Sequence, residues 1–139
     1  MSPTAFRSLI ISSVLFTVAA GIVDALCPSL IPQSIASALE KEVETTFFET
    51  HPFISLAVLL PWLMAALASI IGLLLFKRWA RPTALYSTLL GFVLYPLFGP
   101  DLSSAIASAL TDASCLTWGA VLALAYYSSL SEHFVAKDR

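Results

Sequence analysis

At Phe76-Lys77-Arg78-Trp79-Ala80-Arg81-Pro82 three basic residues and a tryptophan stand between two long apolar runs, Pro52 to Phe76 and Thr83 to Phe98. A short basic turn of this kind anchors a transmembrane hairpin on the cytoplasmic side, with the tryptophan in the interfacial aromatic belt. Two further apolar runs, Ser8 to Leu26 and Ala113 to Leu130, flank that hairpin. Helices rise ~1.5 Å per residue and a hydrocarbon layer is ~30 Å thick, so most of these runs are long enough to cross it.

The expected fold is an all-α membrane protein, one four-span domain over residues 1–139. Its spans cover about 8–26, 52–76, 83–98 and 113–130, arranged as two antiparallel hairpins. Six of the seven basic residues, Arg7, Lys77, Arg78, Arg81, Lys137 and Arg139, fall in alternate segments, and only Lys41 lies outside them. The positive-inside rule therefore puts both termini in the cytoplasm and the acidic Glu40, Glu42, Glu44, Glu49, Asp101 and Asp112 outside. A bacterial inner (plasma) membrane is the expected location. The N-terminal run has the makings of a signal peptide, with Arg7 before an apolar stretch and Val18-Ala19-Ala20 as a cleavage point. Apolar character continues through Gly21-Ile22-Val23 to Leu26, which favours a retained helix.

At 58% hydrophobic and 12% charged residues, with a mean hydropathy of +0.87, the chain lies outside the range of soluble domains. The segments between spans are too short to fold a separate catalytic domain. The basic turn suits lipid headgroups rather than nucleic acid.

Both outer segments carry apolar residues at every fourth position: Ile35, Leu39, Val43 and Phe47 in the first, Leu102, Ile106 and Leu110 in the second. Each predicts a short amphipathic helix in the outer interface, over about 33–48 and 101–111. Ile35-Ala36-Ser37-Ala38-Leu39 recurs identically as Ile106-Ala107-Ser108-Ala109-Leu110, which raises an internal repeat of span, outer helix and span.

Small residues mark candidate helix-packing faces: Ser13, Thr17 and Gly21 on the first span, Ala65, Ser69 and Gly72 on the second, Gly119 and Ala123 on the fourth. Pro61 predicts a kink in the second span. Trp118 is expected near the outer interface and Tyr126 and Tyr127 at the inner one. The expected spans have no ionisable residue at their centres, the nearest being Asp24 at the outer end of the first.

Cys27 and Cys115 share the outer face in this topology, which leaves open a disulfide if their Cα atoms approach within ~7 Å. His51 and His133 fall on opposite faces, and no ligand spacing for a metal, phosphate loop, nucleophile elbow or CxxC motif occurs. Neither a catalytic residue nor a cofactor or metal site is expected.

These features point to a noncatalytic small polytopic membrane protein. It would act by helix packing, as an accessory, regulatory or protective partner of another membrane component or by self-association. The alternative is a small oligomeric transporter or channel with Asp24 near its outer entrance and Ser12, Ser13, Thr17, Tyr86 and Tyr95 along the pathway.

Overall fold

The computed structural model describes residues 2–27, 50–98, 103–128 and 134. Four α-helices occupy them: α1 (Pro3–Leu26), α2 (Pro52–Leu74), α3 (Ala80–Leu94) and α4 (Ala105–Tyr127), with a 3-10 turn at Tyr95–Phe98 after α3. There is no strand among the described residues. α1, α2 and α4 are long and apolar enough to cross a membrane. The amphipathic helix expected over 33–48, including the first copy of the Ile-Ala-Ser-Ala-Leu repeat, lies outside the described residues.

Three of the four helices, α1, α2 and α4, begin where the sequence provides for the free amides of a first turn. The Ser2 hydroxyl accepts from the Ala5 amide at 3.3 Å, and Pro3 at the first helical position has no amide to lose. Pro52 plays the same part for α2. The Ser104 hydroxyl accepts from the Ala107 amide at 3.2 Å and starts α4. α2 runs helical through Pro61 to Leu74 and ends in a Schellman closure: the Lys77 amide bonds the Gly72 carbonyl at 2.8 Å and the Phe76 amide bonds the Leu73 carbonyl at 3.1 Å. Such a closure needs a left-handed residue, and Phe76 occupies that place at φ 55°.

The continuity of α4 corrects two expectations. The second outer helix and the helix expected from Ala113 are one helix, beginning at Ala105, so the second Ile-Ala-Ser-Ala-Leu forms its first turns rather than a separate element. A serine cap directly before an unbroken helical register leaves no place for a bend. Trp118, expected near the outer interface, lies well inside α4, where its indole N–H donates to the Thr88 hydroxyl of α3 at 2.9 Å.

Pairing also departs from two sequential hairpins. α1 packs chiefly on α4, and α2 chiefly on α3. The short basic turn forces the second pair together, and the Trp62 indole fastens it by donating to the Ser87 carbonyl at 2.9 Å. The long connection between α1 and α2 imposes no such contact, which leaves α1 free to select a partner by side-chain chemistry.

The core lies at the end of the bundle that carries the basic turn. Phe6 and Ile10 of α1, Leu73 and Phe76 at the end of α2, Ala80 and Ala84 of α3, Val121 and Ala125 of α4, and Phe134 are buried together there. Away from it, α2 exposes Phe53, Leu56, Leu60, Leu63, Met64 and Leu67. A helix apolar on its outward face as well as its inward one suits a hydrocarbon solvent.

Candidate functional site: the α1–α4 seam

Two polar connections fix α1 antiparallel against α4. Midway along, Ser13 and Ser114 are buried and bond reciprocally: the Ser13 hydroxyl donates to the Ser114 carbonyl at 3.2 Å and the Ser114 hydroxyl to the Ser13 carbonyl at 2.9 Å. Thr17, one turn on, places its Oγ1 2.7 Å from the Ser114 Oγ. Reciprocal bonds to backbone carbonyls demand that the two backbones come close, which side chains this small allow.

At the end of the seam away from the basic turn, the Asp24 carboxylate accepts from the Ser104 amide at 3.1 Å. Ser104 is itself the cap of α4, so its amide belongs to the positive end of that helix and a carboxylate there is favoured by the aligned peptide dipoles. Asp24 thus ties α1 to the start of α4.

Of the polar residues proposed to line a pathway, the structure unites Ser13, Thr17 and Asp24 on one face of α1. Tyr86 and Tyr95 stand apart from it, about two-thirds exposed on α3 and the 3-10 turn, and Ser12 is half-buried. Among the packing residues, Ser69 and Gly72 are buried and Ala65 half-buried. A Cβ on Gly72 would stand 2.6 Å from the Ala80 Cβ and 3.0 Å from the Trp79 ring, so this glycine permits the close approach of α2 and α3. Gly21 and Gly119 meet nothing within 4 Å, and with Ala123 they are exposed, so they are not packed closely against another described helix of the chain.

Cys27 and Cys115 are free and exposed. Ser114 is level with Ser13, fourteen residues from Cys27, so the thiols are separated by about 20 Å along the seam, far beyond disulfide reach. The expectation that they share one end of the bundle fails because α4 starts earlier than its apolar run, which moves Cys115 from an end to the middle.

The end that carries the basic turn holds what the sequence did not announce. Phe6, Phe76 and Phe134 form an aromatic triad with centroids 5.6, 6.2 and 5.2 Å apart. Arg7 donates from Nε to the Leu74 carbonyl at 3.1 Å, at the negative end of α2, and lies over the Phe76 ring. The Arg81 guanidinium lies 4.6 Å from the Tyr126 ring centroid and 5.4 Å from that of Phe134, while its buried Nε has no hydrogen-bond partner. The basic residues that mark topology are therefore also packing groups.

No group of three His, Cys, Asp or Glu side chains suited to a metal occurs among the described residues. No family model, curated protein or solved structure matches the chain.

Proposed function

We propose that this chain is a noncatalytic four-span protein of a bacterial inner membrane that acts through helix packing, as an accessory, regulatory or protective partner of another membrane component. The observation that carries this reading is the α1–α4 seam. Its interior is filled by Ile10, Ser13, Ala20, Ala107, Ser114, Val121 and Ala125, and its hydroxyls are spent on one another and on facing carbonyls. Such an interior suits a scaffold whose outward faces do the recognising.

Two geometric points support four spans. α3 with its 3-10 extension measures about 30 Å, from fifteen α-helical and four 3-10 residues. The start of α1, the α2–α3 turn and Phe134 meet at one end, the arrangement expected if both termini and the basic turn are cytoplasmic.

A second reading, a small oligomeric transporter or channel, draws on one specific observation: α4 carries the ionisable Asp112 within its length. Purification in a gentle detergent followed by mass spectrometry of what stays bound separates the two. A reproducible protein partner or a second copy supports the packing reading; a small ligand bound to single chains or their oligomers overturns it.

A further inference from the structure

Arg7 and Arg81 lie against the same aromatic cluster, but their electrostatic surroundings are opposite in sign. Arg7 donates from Nε to the Leu74 carbonyl, at the negative end of α2, so its charge is answered within the chain. Arg81 is the second residue of α3 and stands at the positive end of that helix, where a cation is disfavoured and where no side chain caps the first turn. Its guanidinium lies 4.6 Å from the Tyr126 ring centroid and 5.4 Å from that of Phe134, yet it makes no hydrogen bond or ion pair among the described residues. Nε is buried without an acceptor, and the two Nη groups, equally unbonded, reach the surface. The rings hold the cation in place without neutralising it. What results is a preorganised fork of donors that lacks its anion.

We infer that Arg81 is the receptor for one phosphate group, supplied by an anionic phospholipid headgroup and held by the two Nη groups. The inference rests on the membrane reading above and goes beyond the helix-packing function, which it does not need. In that reading the basic turn lies at the cytoplasmic boundary, the depth at which lipid phosphates are concentrated. A phosphate there meets two needs at once, since it gives the guanidinium an acceptor and places negative charge at the start of α3. Trp79, two residues before Arg81 and 50% exposed, brings to the same turn a ring that settles among headgroups. Lys77 and the exposed Arg78 add positive potential beside the site, which favours an anionic lipid over a zwitterionic one. A protein carboxylate would have to be delivered to that depth by a partner, whereas the membrane itself supplies the phosphate.

Lipid retention by the full chain tests this. The protein is purified in a mild detergent, stripped of lipid, offered equal amounts of phosphatidylglycerol and the zwitterionic phosphatidylethanolamine, and weighed by native mass spectrometry. A single phosphatidylglycerol is expected to stay bound to each chain. Arg81→Gln should weaken its binding about tenfold, the scale of losing a charge-assisted hydrogen-bond pair. Arg78→Gln should change binding by less than about twofold once salt screens diffuse attraction. Should Arg81→Gln fail to fold, Arg81→Lys carries the test: it keeps the charge but not the fork, and phosphatidylglycerol should raise its unfolding temperature less than half as much as that of the unaltered chain. Equal losses for Arg81→Gln and Arg78→Gln, or undiminished stabilisation of Arg81→Lys, overturns the proposal. Inorganic phosphate that stabilises the stripped chain as fully as the lipid does, or an acidic protein retained through Arg81 in place of lipid, overturns the lipid assignment. Release of the chain from membranes by alkaline carbonate, measured before any lipid is added, would overturn the membrane reading instead.

Discussion

Asp24, two residues before the end of α1, accepts from the amide of Ser104, the N-cap of α4, 80 residues further along the chain, at 3.1 Å. This carboxylate gives that end of the seam a defined register, much as the Ser13–Ser114 exchange gives one to its middle.

Asp24→Ala is expected to lower stability in detergent by about 1–2 kcal/mol, the range for losing a helix cap with its charge–dipole contribution. Asp24→Asn retains an acceptor and should lose less than half of that. Reversible unfolding in a graded denaturing detergent gives the ranking; equal losses for the two variants would show that the bond to Ser104 is immaterial.

Ser13→Ala and Ser114→Ala should be strongly coupled, because each hydroxyl serves the other's carbonyl. A double-mutant cycle is expected to return about 0.6–1.7 kcal/mol of interaction energy. Ser114→Leu should do more harm than either, since a large side chain parts the backbones.

Gly72→Ala places a methyl group 2.6 Å from the Ala80 Cβ and should destabilise by about 1–3 kcal/mol through overpacking. Gly21→Ala meets nothing within 4 Å and should be neutral or stabilising, alanine being the better helix former. Thermal unfolding of the two variants side by side checks the contrast.

At Phe76 a non-glycine residue sits at φ 55° while its ring completes the aromatic triad. Phe76→Ala and Phe76→Gly both remove the ring, but only glycine relieves the left-handed backbone. Phe76→Gly should therefore retain about 1 kcal/mol more stability than Phe76→Ala. The reverse order would mean that the turn is not held in that conformation.

The two thiols should remain separately alkylatable without reductant. Cys27, at the end of α1, should react with a membrane-impermeant maleimide, and Cys115, eleven residues into α4, only with a lipophilic one. An unreduced protein refusing both reagents would restore the disulfide.

Apolar run length, proline and serine caps and the clustered basic turn made the helices legible in the sequence, since each acts within a few residues. The start of α4 was misjudged because Leu102, Ile106 and Leu110 keep the same four-residue period whether a helix lies along an interface or enters a span. Ser104, a serine directly before an apolar helical stretch, was the available signal. The α1–α4 pairing was illegible for another reason: Ser13 and Ser114 are two among many serines, and nothing local distinguishes the pair that meets. The sequence marked one face of α1 for packing, and Ser13 and Thr17 lie on the face that found α4, while Gly21 does not.

The seam joins α1 to α4, the first and last of the four described α-helices. During synthesis α1 enters the bilayer with its serine and threonine hydroxyls and Asp24 unmatched, and 101 residues separate Ser13 from the serine that will meet it. α2 and α3, joined by a five-residue turn, can close as soon as both are made. Assembly thus runs from the inner hairpin outward, with α1 waiting until α4 arrives. A ribosome stalled before Ser104 would leave in the membrane a chain whose first helix has polar groups to offer and no mate, a natural substrate for insertion chaperones or quality-control proteases.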